Sequence, residues 1–180
     1  ILAEIKHVAD EKGDEKSLSF ARNAEIVITA IRDYCSRYSE SAKEKGFMQM
    51  ADALLKVPFE PAYDFYSALQ SIWFIHMIAS CYVGSRDYAF GRFDNYMLPF
   101  YEKDIAKGKT KQELTLLLAG FFIKANEICG RATHNYHCKP VLSQSSKQYI
   151  NIGGENPNVF SSVVLEAAKI NNMAQPQITV

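Results

Sequence analysis

The chain has 180 residues, 48% of them hydrophobic and 22% charged, with 20 basic against 20 acidic side chains. That composition excludes intrinsic disorder, and the zero net charge leaves no electrostatic footprint for nucleic acid or for an anionic lipid surface. The longest apolar stretch, Ile72 to Val83, is broken by His76 and Ser80 and falls short of the roughly 20 residues that a spanning helix needs.

Ile1 opens an amphipathic pattern and not the apolar core of a secretory signal. From Phe20 the residues Phe20, Ala24, Val27, Ile31, Tyr34 and Tyr38 recur at spacings of four and three, which predicts a long helix ending near Gly46 with these side chains as its apolar stripe. A second helix is expected over Phe47 to Lys56. Val57-Pro58 and Glu60-Pro61 then force extended backbone, because a residue preceding proline is pushed out of the helical region. Ala62 to Cys81 is apolar almost all round and reads as a buried helix. A loop is expected from Val83 to Arg92, then a helix from Asp94 to Lys107 that breaks at Pro99 and is closed by Gly108.

Thr110 and Glu113 have capping-box spacing, and Leu114, Leu117, Leu118, Phe121, Ala125 and Ile128 follow on one helical face. A polar loop is expected from Gly130 to Ser146. Gln148 to Ile152 reads as a strand stopped by Gly153-Gly154, Val159 to Asn172 as a helix, and Gln177 to Val180 as a second strand. Such a strand, helix and strand form a βαβ unit with parallel neighbours, and a parallel sheet of two strands implies further strands outside this sequence. The chain begins without Met and stops in a strand-like run, so it is expected to be a piece of a longer protein.

Four groups of residues invite a chemical reading. Ser85 to Tyr96 concentrates Arg86, Asp87, Arg92 and Asp94 beside a buried helix, which suits either structural ion pairs or a pocket. Cys129, His134, His137 and Cys138 carry metal-competent side chains without the paired spacing of a structural zinc site. The four cysteines lie far apart, as in reduced thiols of a cytoplasmic protein. Gly153-Gly154 lacks the rest of a phosphate-binding loop and reads as a tight strand exit, while Phe65, Tyr66, Trp73, Phe74 and Met77 read as core.

Taken in order, Pro58, Pro61-Ala62, Ala68 to Ser71, Trp73-Phe74, Gly91 to Tyr96, Pro99 to Tyr101, Asp104, Gly108, Ile150 to Gly154 and Gln175-Pro176 resemble the glycyl radical enzymes, the pyruvate formate-lyase-like family, in its dehydratase and lyase branch. The resemblance implies a fold that is mainly α with a small βαβ parallel element, an internal fragment of a ten-stranded α/β barrel. Residues 1–146 would form a helical layer and residues 147–180 a strand, helix and strand of the barrel. It also implies that the catalytic cysteine loop and the radical glycine loop lie beyond Val180, so that the fragment itself is inactive and binds no cofactor, the glycyl radical belonging to the full-length enzyme.

The partners implied are a radical S-adenosylmethionine activating enzyme, a small-molecule substrate and a second copy of the full-length enzyme, in the cytoplasm of an anaerobic metabolism. Carried over motif by motif, the substrate-pocket residues are Arg86, Asp87, Lys147, Gln148, Tyr149 and Asn151, with no catalytic or metal-binding residue in the chain. Lys147 stands where an aromatic is common in the family, and two cations at Arg86 and Lys147 would suit an oxyanion. A helical protein-interaction domain without catalysis is the alternative.

Overall fold

The computed structural model describes residues 2–80, 87–128, 147–173 and 176–180, with the backbone alone at Asp87, Ile128 and Lys147. It divides into two compact units, Ile1–Phe59 and Glu60–Val180. The first holds α1 (Leu2–Lys12), α2 (Glu15–Glu44) and α3 (Met48–Leu54). The second holds α4 (Phe65–Ile78), β1 (Asp87–Arg92), α5 (Phe93–Ala106), α6 (Lys111–Ile128), β2 (Lys147–Asn151), α7 (Val159–Asn171) and β3 (Gln177–Thr179). Among the described residues no helix is long and apolar enough to cross a membrane.

In the first unit α2 starts five residues earlier than the apolar stripe suggests, because the Asp14 carboxylate accepts the Ser17 amide at 2.9 Å and caps it. Only part of the stripe is packed, Ala24, Ile31 and Tyr34 being half-buried. Phe20 is 63%, Val27 56% and Tyr38 45% exposed, whereas Ala21, Cys35, Ser39 and Ala42 are buried. Small side chains admit close approach of neighbouring helices. The Ser39 hydroxyl uses that proximity to donate to the Ala51 carbonyl at 2.9 Å.

In the second unit the stretch expected as a loop from Val83 contains β1, so the sheet begins at Asp87, inside the part of the chain read as a helical layer. Tyr88, Ala89 and Phe90 carry strand-compatible side chains, but a period of two over so short a run is hidden by the surrounding charges and glycines. The sheet has the order β1-β2-β3 and both pairs are parallel. Asp87 lies opposite Lys147, Ala89 opposite Tyr149, and, past an irregularity in β1, Arg92 opposite Asn151. Tyr149, Ile150 and Asn151 lie opposite Gln177, Ile178 and Thr179, so the parallel strand, helix and strand expected of residues 147–180 are present.

The core is aromatic. Phe93 stacks on Phe121 and Phe160 with ring centroids 6.0 and 6.1 Å away, and Phe65 meets Phe160 edge-on at 5.5 Å. Leu114, Leu118, Phe122, Ile150, Val163 and Val164 pack in the same cluster. Helix α4 starts where the Asp64 side chain and Ser67 form a reciprocal cap, and α6 starts where Thr110 and Glu113 do.

Pro99 does not break α5, which runs through it to Ala106. Met97 and Tyr101 on either side are buried in the core, and that packing outweighs the missing amide hydrogen bond. Since Pro99 itself is exposed, Pro99→Ala restores an amide donor at no loss of packing and is expected to raise the melting temperature, by up to the equivalent of about 3 kcal/mol. Phe160→Ala acts in the opposite sense, lowering stability by about 3–5 kcal/mol in urea unfolding.

Candidate functional site

The segment Gly91 to Tyr96 and the turn Gly153-Gly154 meet where β1 and β2 end. Gly91 has φ +66° and Gly153 φ +75°, the left-handed region that glycine enters without a Cβ penalty. Asp94, in the first turn of α5, is fully buried, and its Oδ2 accepts the Gly153 amide at 2.7 Å and the Ser161 hydroxyl at 2.7 Å. Arg92 donates from Nη2 to the Gly153 carbonyl at 2.6 Å and from Nε to Asp94 Oδ1 at 3.4 Å. Gly153 is therefore held through its amide by a carboxylate and through its carbonyl by a guanidinium.

Asn158 joins the cluster. Its Oδ1 accepts the Phe160 and Ser161 amides and caps α7, while its Nδ2 donates to the Asp94 carbonyl at 3.2 Å. Tyr96 donates its hydroxyl to the Phe90 carbonyl at 2.8 Å, fastening α5 to β1. Burial alone would pull the Asp94 carboxyl upward, but the Gly153 amide, the Ser161 hydroxyl and the Arg92 guanidinium together hold it below the usual carboxylate value.

The two faces of the sheet differ. Phe90, Gln148 and Ile150 are buried against the helices, with Tyr88 and Ile178 half-buried beside them. On the other face Ala89, Gln177 and Thr179 are exposed and Tyr149 and Asn151 half-buried. Behind β1, the buried His76 ring lies 4.7 Å from Tyr88 and 5.1 Å from Phe90, its Nδ1 is 3.3 Å from the Ser80 hydroxyl, and Nε2 has no partner among the described residues. Burial pushes its pKa down to about 4, so the imidazole is neutral at pH 7.

These positions divide the residues expected to line a pocket. Tyr149 and Asn151 share the open face, and the backbone register sets Asp87 and Lys147 directly opposite each other at its start. Gln148 does not join them: the period of two turns it into the helix layer, where it is completely buried. Arg86 lies outside the described residues, as do Cys81, Cys129, His134, His137 and Cys138; among the described residues no group of metal-competent side chains gathers. Sequence reasoning missed Gln177 and Thr179, which only the β2–β3 register brings beside Tyr149 and Asn151. It also read Arg92 and Asp94 without their partners, although Gly153 and the cap at Asn158 were both visible signals.

Comparison with known proteins accords with this geometry. A family model described as pyruvate formate lyase-like matches residues 1–180. A probable dehydratase of Escherichia coli K12, YbiW, is 24% identical across 89% of this chain and 22% of its own length. The trans-4-hydroxy-L-proline dehydratase of Clostridioides difficile is 23% identical across 95% of this chain and 23% of its own. A glycyl radical enzyme from Archaeoglobus fulgidus superposes with a TM-score of 0.80 and 26% identity, covering 98% of this chain and 26% of that one. The chain thus spans about a quarter of the length of each of these three proteins, and it belongs to the pyruvate formate lyase-like family.

Acid acts on the two buried groups in separate windows. Unfolding lets His76 bind a proton at its ordinary 6.5, while the folded imidazole stays neutral until about 4, so its contribution is intact above pH 6.5 and is lost as the pH falls from there towards 4. Asp94 has the depressed folded value, so its contribution persists above the unfolded value of about 3.9 and disappears only below it. Urea midpoints measured between pH 7 and 4.5 are expected to fall for the unaltered chain and to fall less for His76→Met.

Proposed function

We propose that this chain is an internal section of a glycyl radical lyase or dehydratase and supplies part of the wall of its substrate pocket. The observation that carries the reading is the sheet itself. Parallel sheets are normally covered on both faces, yet here one face packs on helices and the other presents Ala89, Tyr149, Asn151, Gln177 and Thr179. In a longer enzyme that polar face is turned to an interior space, as in a ten-stranded barrel of which β1, β2 and β3 form a part.

In this reading Tyr149 and Asn151 orient the substrate by hydrogen bonds, Arg86, Asp87 and Lys147 contribute charge to its recognition, and Gln148 supports the wall from behind. The chemistry itself is a hydrogen-atom transfer. A glycyl radical and a cysteine thiol, both outside this chain, would supply that chemistry in the full-length enzyme, while the residues of this chain would hold and orient the substrate. The cysteine and glycine loops belong to other parts of the enzyme, which works as a cytoplasmic homodimer charged by a radical S-adenosylmethionine activating enzyme.

Two measurements test this. The 180-residue chain, incubated anaerobically with an activating enzyme and reductant, is expected to show no turnover and no glycyl doublet in electron paramagnetic resonance; a doublet traced by isotope labelling to one of its glycines overturns the assignment. In the full-length enzyme Arg86→Ala is expected to lower turnover at least about tenfold, the loss of roughly 1.4 kcal/mol from one charge-assisted contact. Unchanged kinetics with a lower melting temperature would mark Arg86 as a structural ion-pair partner instead.

A further inference from the structure

Asp94 has the chemistry of a catalytic acid but not the placement. It is fully buried, and its carboxylate is occupied by the Gly153 amide, the Ser161 hydroxyl and Arg92. Each of these partners belongs to a different element: Arg92 closes β1, Gly153 follows β2 and Ser161 opens α7. Arg92 is the one charged group that touches the carboxylate among the described residues. The Gly153 amide lies two residues beyond Asn151, and the amide between them, that of Ile152, donates to the Thr179 carbonyl of β3 at 2.9 Å. A shift of Gly153 is therefore transmitted to the β2–β3 pairing and to Asn151, whose register partner is Thr179.

We infer that Arg92 and Asp94 are positioning residues for the open face of the sheet: by gripping Gly153 through both of its peptide groups they hold the end of β2 in register with β3. This inference rests on the wall reading for its functional meaning, but its mechanical content is separate. Removing the Asp94 charge takes no group away from the open face. It loosens where Asn151 and Thr179 stand.

Amide hydrogen exchange of the 180-residue chain, followed residue by residue by nuclear magnetic resonance at pH 7, separates the possibilities. In Asp94→Asn the Gly153 and Ile152 amides are both expected to exchange at least about tenfold faster, the scale of one lost charge-assisted bond, while the Leu118 amide in the middle of α6 keeps its rate. Acceleration at Gly153 alone would make Asp94 a local cap and overturn the inference, and equal acceleration at all three would reduce it to general stability. If Asp94→Asn does not fold, Ser161→Ala removes one donor and leaves the charge, and Arg92→Lys keeps the charge and loses the fork. Both are expected to accelerate Ile152 before Leu118, and the absence of that order overturns the inference. The wall reading fails separately, if Asn151→Ala leaves turnover of the full-length enzyme unchanged.

Discussion

A carboxylate sealed from water must be given partners or become neutral, and Asp94 shows the first outcome. Its three donors come from three elements that the chain reaches at different times, so they converge only when the second unit is assembled. The arrangement is economical in sequence: Gly91 permits the turn out of β1, Arg92 reaches the Gly153 carbonyl, Phe93 enters the core, Asp94 takes the Gly153 amide, and Tyr96 returns to β1. Asn95 faces Asn158, whose side chain caps α7. A segment dense in ionisable groups thus serves chiefly to fasten strand ends to helix starts.

That fastening has a consequence for the sheet. Helix packing behind it is wholly apolar at Phe93, Phe121 and Phe160, and such packing is tolerant of small sliding motions because it is non-directional. Hydrogen bonds to a buried charge are directional and fix the strand ends against one another. The open face therefore inherits its geometry from groups that lie behind and beside it.

His76 marks the other polar feature behind the sheet. Trp73, Tyr88 and Phe90 surround its ring and supply no strong acceptor for a proton, so the charged form is disfavoured by desolvation alone. Gln148, the register partner of Tyr88, is also completely buried. Both are polar residues in positions that a purely periodic reading assigns to apolar side chains or to a pocket.

Several features were readable from residue order because their causes are local. The capping pairs at Thr110 and Glu113, the glycine closing α5 at Gly108, the strand halted at Gly153 and the helix from Val159 all depend on neighbours within four residues. The family resemblance was legible for the same reason, since its motifs keep their order along the chain. What tertiary structure alone decided were matters of distance between remote segments. It placed β1 in a stretch too short to show a period, packed α2 most deeply through Ala21, Cys35, Ser39 and Ala42 while leaving Phe20, Val27 and Tyr38 exposed, and carried α5 through Pro99, flanked by the buried Met97 and Tyr101. It gave Asp94 its partners 59 and 67 residues away. Periodicity describes one element at a time, whereas a buried charge is satisfied only by whatever the whole fold brings within hydrogen-bonding distance.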